Sequence, residues 1–283
     1  MKITKNLNKF ILATVIVAIL FSLITILDNE VKNLLVAQQQ GKSFRYVPNE
    51  AFGYNEKLNY KVGYKFITAI TAGTGYFHIQ PNPVYRNGRE CYDVRFEVRS
   101  LPSLEMLYKV RDRYRTVLDV AGIFPWEFEQ SIREGNYKRD ARAIFDQVNN
   151  TATVKDKQYK VPEYVHDIVS AFYYTRTMDL KSMKDGHVFY LKHFFKDTTY
   201  TLGVKIHRRE TIDVEAGKFR CIVIEPLVVK GGLFKSEGSI FIWLSDDDRK
   251  IPVKVATRIL IGFVSADLVS YSGTRGPVTA KIN

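Results

Sequence analysis

In the stretch LNYKVGYKF, Leu58, Tyr60, Val62, Tyr64 and Phe66 alternate with Asn59, Lys61, Gly63 and Lys65. A period of two sends successive side chains to opposite faces of an extended chain, so this segment reads as a strand with one face in a core and the other in water. The alternation recurs almost to the end of the chain and constrains the fold more than any other feature. TAGTGYFHI reads as a second strand, with a bulge or bend at Gly73-Thr74-Gly75. Asn87-Gly88 is a hairpin turn into CYDVRFEVRS, where Tyr92, Val94, Phe96 and Val98 share a face. EMLYKVRDRYRTVLD continues the pattern, PWEFEQSIREGNYKRDARAIFD holds two strands joined at Glu134-Gly135-Asn136, and Asn149-Asn150 turns into TATV. HVFYLKHFF, YTLGVKIHRRETIDV and FRCIVIEPLVV come later, the last entered through Ala216-Gly217-Lys218. GSIFIWLS turns at Asp246-Asp247-Asp248 into IPVKVATRILIG, and GFVSADLVSY closes the series. About a dozen strands in turn-separated succession predict a mainly all-β fold, either a curved antiparallel sheet or an open β-barrel.

One segment breaks the pattern. In HDIVSAFYYTRTM, together with the residues just before it, Val165, Ile168, Val169 and Phe172 recur at i, i+3, i+4 and i+7, the spacing of one helical stripe. Pro162 suits a first helical turn, and Glu163 and Asp167 suit the positive end of a helix. The spacing predicts a single helix over 163–178 inserted into the concave side of the sheet or across one barrel end.

The N-terminus sets the compartment. Three lysines in MKITKNLNKF precede an uncharged run of 18 residues, Phe10 to Leu27, which Asp28, Asn29 and Glu30 close. Lysines before and acids after direct the remainder of the chain across the membrane. The run has the length of a long signal-peptide core or a short spanning helix, and no small-residue cleavage motif decides between them. The chain therefore divides into 1–37 as signal peptide or N-terminal membrane anchor, 38–52 as linker, 53–275 as a single antiparallel β domain, and 276–283 as tail. Cys91 and Cys221 fall in the exported part, each within a strand-like run. An oxidising compartment permits a disulfide, but positions of this kind favour buried free thiols.

The net charge of +12 suits contact with anionic partners. Arg95, Arg99, Arg111, Arg113 and Arg115 are spread along strands, as on a solvated outer face, and form no polybasic block. No nucleic-acid partner is expected. His78, His166, His187, His193 and His207 show no metal-ligand spacing, so neither a metal site nor a cofactor is expected. Ser170, with His166 a helical turn away and Asp167 nearby, does not reproduce the line of a catalytic triad. Glu127 and Glu129 alternate with Trp126, Phe128 and Gln130 as polar positions of one strand, and no catalytic residue is assigned. The generous feature is the aromatic supply, 17 Tyr, 18 Phe and 2 Trp. On a concave sheet such side chains would either hold a lipid chain, stack sugars, or pack beneath the helix.

Several stretches resemble the domain-of-unknown-function family 3108, a group of exported bacterial envelope proteins. They are EKLNYKVGYKFITAITAGTGYF, LDVAGIFPWEFEQSIREGNY, HDIVSAFYYTR, ETIDVEAGKFRCIVIEP and GSIFIWLSDDDRKIPVKVATRILIGFVSADL, covering about residues 52 to 273 in order. The most specific is Asp-x-x-Ser-Ala-x-Tyr-Tyr-x-Arg, here Asp167, Ser170, Ala171, Tyr173, Tyr174 and Arg176; next comes the hairpin around Trp243 and Asp246. The resemblance implies an exported all-β protein and carries no activity with it. The expected function is non-enzymatic binding of a lipid or glycan in the periplasm, with Tyr173, Tyr174, Arg176 and Trp126 as ligand contacts and Asp167, Ser170, Trp243 and Asp246 as structural signature. A scaffold binding another envelope protein is the alternative, and a glycan-acting hydrolase a further one. Residues 10–27, if retained, would hold the chain to the inner membrane.

Overall fold

A computed structural model describes residues 43–65, 69–227, 239–258 and 262–282, together with residue 27. The apolar run expected to act as signal or anchor otherwise lies outside them. Among the described residues no helix is long and apolar enough to cross a membrane. Strand follows strand as the alternation requires. From β1 (Lys57–Lys65) and β2 (Ala69–Ile79), the chain passes the short β3 (Val84–Arg86) into β4 (Arg89–Ser100) and β5 (Arg111–Asp119). It continues through β6 (Pro125–Glu134), β7 (Tyr137–Asp146), β8 (Thr151–Val154) and β9 (Lys157–Lys160). The helix α1 (Ile168–Thr177) comes next, then β10 (Val188–Phe195), β11 (Thr198–Val214), β12 (Gly217–Leu227), β13 (Ile240–Ser245), β14 (Pro252–Arg258), β15 (Phe263–Ser272) and β16 (Lys281–Ile282).

All strands belong to one antiparallel sheet. Its path runs from β10 through β15, crosses to β1 and β2, and ends through β4 to β9; β3 pairs only β4, and β16 only β12. The chain thus starts mid-sheet, walks to one end, crosses over through α1 and walks back until β15 pairs β1. The two ends of the path close by packing rather than by a strand ladder. His166 occupies part of the β10 edge, its N–H donating to Lys192 O at 2.8 Å and its carbonyl accepting from Phe194 N at 2.8 Å. Across the gap, the Phe194 ring lies 6.0 Å from Phe145 and 5.9 Å from Tyr159, and the Arg139 guanidinium sits 4.8 Å from the Phe195 ring. An edge covered this way no longer invites pairing with another chain.

The bulge expected near Gly73 is present. The β1–β2 register shifts between Val62 and Gly63, and a Cβ on Gly73 would fall 2.3 Å from Arg99 O. Glycine is needed there because the β4 backbone approaches too closely for a side chain.

The structure corrects three expectations of extent. The helix is shorter than 163–178, because Tyr164 takes a positive φ of 53° and His166 gives both backbone groups to the β10 edge. Asp167 is therefore the N-cap, and Pro162 and Glu163 lie in the preceding turn. The described part of the expected linker is integral to the β unit, which begins at Arg45: Asn49, Ala51 and Phe52 are buried. The expected tail adds a strand, since Lys281 and Ile282 pair β12. The stretch 105–110 also departs from the strand pattern; it follows a 3-10 turn at Pro102–Leu104 and meets β6 only through a bridge between Val110 and Glu134.

Apolar residues collect on the inner face. One cluster joins Ile79, Tyr92, Val94, Leu118 and Phe145 to Val169 and Tyr173 of α1. A second joins Leu191, Val204, Ile206 and Ile224 to Ala171. A third spans β1 and β12–β15, around Leu58, Tyr60, Val223 and Leu268. Cys91 and Cys221 are both buried and free.

Candidate functional site: an apolar cavity beside the helix

The helix leaves part of the sheet interior unfilled. At its level stand Ile79, Val94 and Leu118. Two or four residues further along the same strands, Phe77, Phe96 and Tyr114 line a cavity of about 350 Å3. That volume lies at the lower end of the roughly 300–1,000 Å3 usual for small-molecule sites. One side of the cavity is α1, through Ile168, Ala171, Phe172 and Thr175. Strands β11–β15 close the other side with residues such as Leu202, Ile224, Ile242 and Val255.

An aromatic wall forms where β2 and β4 face the helix. Phe77 stacks on Phe96 at 4.3 Å and on Phe172 at 5.6 Å, with Tyr60 edge-on at 6.1 Å. Three of its hydroxyls are turned to backbone carbonyls: Tyr60 donates to Pro252 O at 2.7 Å, Thr175 to Ala171 O at 2.9 Å and Thr257 to Arg258 O at 3.2 Å. Among the described residues, no ionisable group other than the tyrosines Tyr60 and Tyr114 lines this space. Burial raises both phenols above their ordinary range, which keeps them neutral.

The signature residues hold the helix in place. Asp167 caps its N-terminus, accepting from Val169 N at 2.7 Å and Ser170 N at 2.9 Å, while its other oxygen accepts from the Thr116 hydroxyl of β5 at 2.5 Å. Burial nevertheless raises its carboxyl above the usual value, against those hydrogen bonds. Ser170 donates to the Asp167 carbonyl at 3.2 Å and its oxygen lies 3.3 Å from His166 Nδ1. His166 Nε2 is 3.4 Å from the Arg45 guanidinium, which also lies over the Tyr164 and Tyr174 rings at 4.4 and 4.5 Å. Ser170 is fully buried, and the Asp167 carboxylate meets backbone N–H groups and Thr116 rather than the imidazole, so these residues fasten the helix start.

At the other end of α1, Arg176 is buried completely. Its guanidinium bonds both oxygens of Glu56, at 2.7 and 2.8 Å, and donates to Ala51 O and Arg249 O. The rings of Phe52 and Tyr173, edge-to-face with each other at 4.8 Å, lie against it at 5.2 and 5.1 Å.

The four residues expected as ligand contacts stand elsewhere than at the cavity wall. Tyr173 is sealed against Phe52 and Arg176, and Tyr174 is covered by Arg45 and His166. Their neighbour Phe172 faces the cavity instead, because helical rotation of about 100° per residue separates adjacent side chains. Trp126 donates from Nε1 to Asp119 at 3.2 Å. That aspartate is fully buried and also binds Arg89 at 2.6 and 2.9 Å and Gly122 N at 2.7 Å. Trp243 donates to Glu210 at 2.6 Å. In the acidic turn, Asp247 rather than Asp246 is the buried member, accepting from Ser245, Arg249 N, Lys250 N and Ala280 N. The roles of Thr116, Glu56, Asp119 and Asp247 escaped sequence reasoning, since their partners lie on distant elements or in a backbone turn. An acid within the hydrophobic approach to β1 was the one available hint for Glu56.

A second concavity, of about 770 Å3, lies over β4–β8 and is charged. Glu129 lines it beside Arg115 and Arg142, and its neighbour Glu127 is bound by Arg86 at 3.0 Å and by Arg142. Burial would raise the Glu127 carboxyl, yet the two arginines outweigh it and hold the group below its usual value. A general acid of a glycosidase requires the opposite shift. Among the described residues no group of three or more His, Cys, Asp or Glu side chains is placed to hold a metal ion.

An up-and-down antiparallel sheet, curled around one pinned helix and enclosing an apolar space, defines a β-barrel-like protein. The chain belongs to the family of proteins of unknown function DUF3108, whose sequence profile matches residues 59–269. Among solved structures it is similar to a β-barrel-like protein of the domain of unknown function DUF1849 from Brucella abortus, at 12% identity, with a TM-score of 0.51 over 81% of this chain and 99% of that one. A protein described as a lipoprotein from Parabacteroides distasonis aligns at 9% identity and TM-score 0.34, over 82% of this chain and 100% of the other. One described as exported, with a YmcC-like fold, from Bacteroides fragilis aligns at 12% identity and TM-score 0.30, over 81% and 100%. No curated protein matches the chain.

Proposed function

We propose that this protein binds a single hydrocarbon chain of an envelope lipid, on the outer side of the cytoplasmic membrane, and does not transform it. The observation that carries this reading is the cavity wall: a space of about 350 Å3 lined mainly by aliphatic and aromatic side chains, with the Tyr60, Thr175 and Thr257 hydroxyls turned to backbone carbonyls. An acyl chain gains by leaving water for such a wall, at about 25 cal/mol per Å2 of apolar surface. A sugar would lose there, because its hydroxyls would be stripped of water and left without partners. Of the two ligand classes that the aromatic composition allowed, the wall favours the lipid. Export is supported by the uncharged run of residues 10–27, with lysines before it and acids after.

The test is native mass spectrometry of the full chain purified from its own envelope, followed by displacement with a fluorescent fatty acid. A retained lipid mass is expected. Val255→Trp and Ala266→Phe, cross-strand partners on β14 and β15 that fill the cavity from one wall, should each weaken fatty-acid binding about tenfold or more, equivalent to ~1.4 kcal/mol. A chain that carries no lipid, and binds fatty acid equally with and without these fillings, would refute the reading.

A further inference from the structure

The cavity runs toward one end of the sheet. Val98 stands two residues from the end of β4, Thr257 one residue from the end of β14, and Ile240 is the first residue of β13. The opposite end is the one plugged by the Arg176 end of the helix, through Glu56 and Arg249. Large apolar side chains are exposed around the cavity end. Met106 and Leu107, in the β4–β5 connection, are 97% and 83% exposed, far beyond what a lone surface leucine or methionine needs to explain itself. Tyr108, Tyr137, Ile70 and Phe263 are exposed as well.

The segments that carry these side chains are tied to one another at this end of the sheet. Phe263 pairs with Lys65, and Tyr64 with Ile70. Ala72 O accepts from Leu101 N at 2.9 Å, which ties the Ile70 end of β2 to the β4–β5 connection. Gly135 N donates to Lys109 O at 2.8 Å, and a Cβ on Gly135 would lie 2.9 Å from the Tyr108 ring, so that connection rests on the turn leading to Tyr137. Among the same strand ends, Lys65, Lys138 and Arg258 are exposed and have no carboxylate at ion-pair distance among the described residues. Exposed apolar side chains interleaved with cations that meet no carboxylate among the described residues match the interface of an anionic bilayer, where the rings and alkyl groups enter the headgroup layer and the cations meet phosphate.

We propose that this end of the sheet docks on an anionic bilayer surface, through Met106, Leu107 and their neighbours, and so sets the cavity over the lipid from which it is loaded. The inference rests on the hydrocarbon-binding reading for its purpose and on the exposed border for its location. A protein partner would be served by the apolar residues alone; the exposed cations on three separate strand ends, Lys65, Lys138 and Arg258, favour a surface of repeated negative charge.

The buried native thiols permit a site-specific test in the full chain. An environment-sensitive fluorophore is attached at Leu107→Cys, or at Tyr85→Cys on β3 as a control at the opposite end, and each protein is reconstituted in vesicles. With phosphatidylglycerol present, the Leu107→Cys probe should shift to shorter wavelength and be quenched by lipid-borne quenchers, while the Tyr85→Cys probe remains in water. In phosphatidylcholine alone the shift should largely vanish. Lys65→Gln, Lys138→Gln and Arg258→Gln should each lower the docking constant about fivefold, the equivalent of ~1 kcal/mol per basic residue near an anionic surface. A Leu107→Cys probe that stays in water, or one indifferent to both vesicle charge and the three substitutions, overturns the proposal. Docking without lipid retained in mass spectrometry would leave the docking surface standing and remove the hydrocarbon-binding reading instead.

Discussion

Arg176 shows how much one residue can decide in a β protein. A guanidinium 0% exposed is tolerable only because Glu56 meets it with both oxygens, and two carbonyls take further N–H groups. Removing either partner leaves an uncompensated buried charge. Arg176→Met or Glu56→Gln should therefore destabilise the fold by about 3–5 kcal/mol in denaturant titrations, whereas Arg176→Met combined with Glu56→Met should recover much of the loss. The buried histidines make a second prediction. Burial pushes His166 well below its ordinary value and His193 down to about 4, while both titrate near ~6.5 when unfolded. Below that value the unfolded chain binds more protons than the folded one, so their contribution is fully present above about pH 6.5 and is lost as the pH falls toward 4. The thermal midpoint should fall across this window, and His193→Asn, which keeps a donor for the His166 carbonyl, should flatten the fall. The two cysteines complete the residue scale. Burial raises both thiols to about 12, so a thiol reagent should react only as fast as the protein opens.

At the scale of elements, the helix is held by its ends more than by a stripe. Its buried residues, among them Val169, Ala171, Tyr173 and Arg176, point around most of its circumference, since it lies inside a curled sheet rather than on one. Losing the cap should be costly. Asp167→Ala forfeits the N-cap, worth about 0.5–2 kcal/mol, and leaves the buried Thr116 hydroxyl only its longer contact to Glu127 O at 3.3 Å, so a total of about 1–3 kcal/mol is expected. Asp167→Asn should retain most of the capping. The strands carry a comparable dependence at Gly73, where any side chain must push β4 aside; Gly73→Val should open the β1–β2–β4 junction and lower the thermal midpoint, while Gly53→Ala, with open space around it, should leave it unchanged.

For the molecule as a whole, the pairing of β1 with β15 makes the β unit indivisible. A chain ended after Lys160 lacks the helix and leaves the β1 edge without its partner, although it keeps β1 to β9. Such a fragment should show no cooperative unfolding transition. The intact protein should fold slowly, since the contacts that close the sheet join residues as far apart as Asn59 and Ser270.

Much of this was legible in the sequence. The period of two placed nearly every strand, and Asn87-Gly88, Glu134-Gly135-Asn136 and the acidic turn after Ser245 marked hairpins, because alternation and turn chemistry are local properties. The motifs around Ser170 and Trp243 pointed to the family that the profile match establishes. Tertiary structure alone decided the rest. Period two states that Phe77 and Phe96 face inward, yet it does not state what they face. Only the curl of the sheet sets them against Phe172, and only the position of the helix leaves space beside them. The union of Glu56 with Arg176 likewise depends on a path of strands between them. A cavity is the volume that distant elements fail to fill, and no pattern along the chain records it.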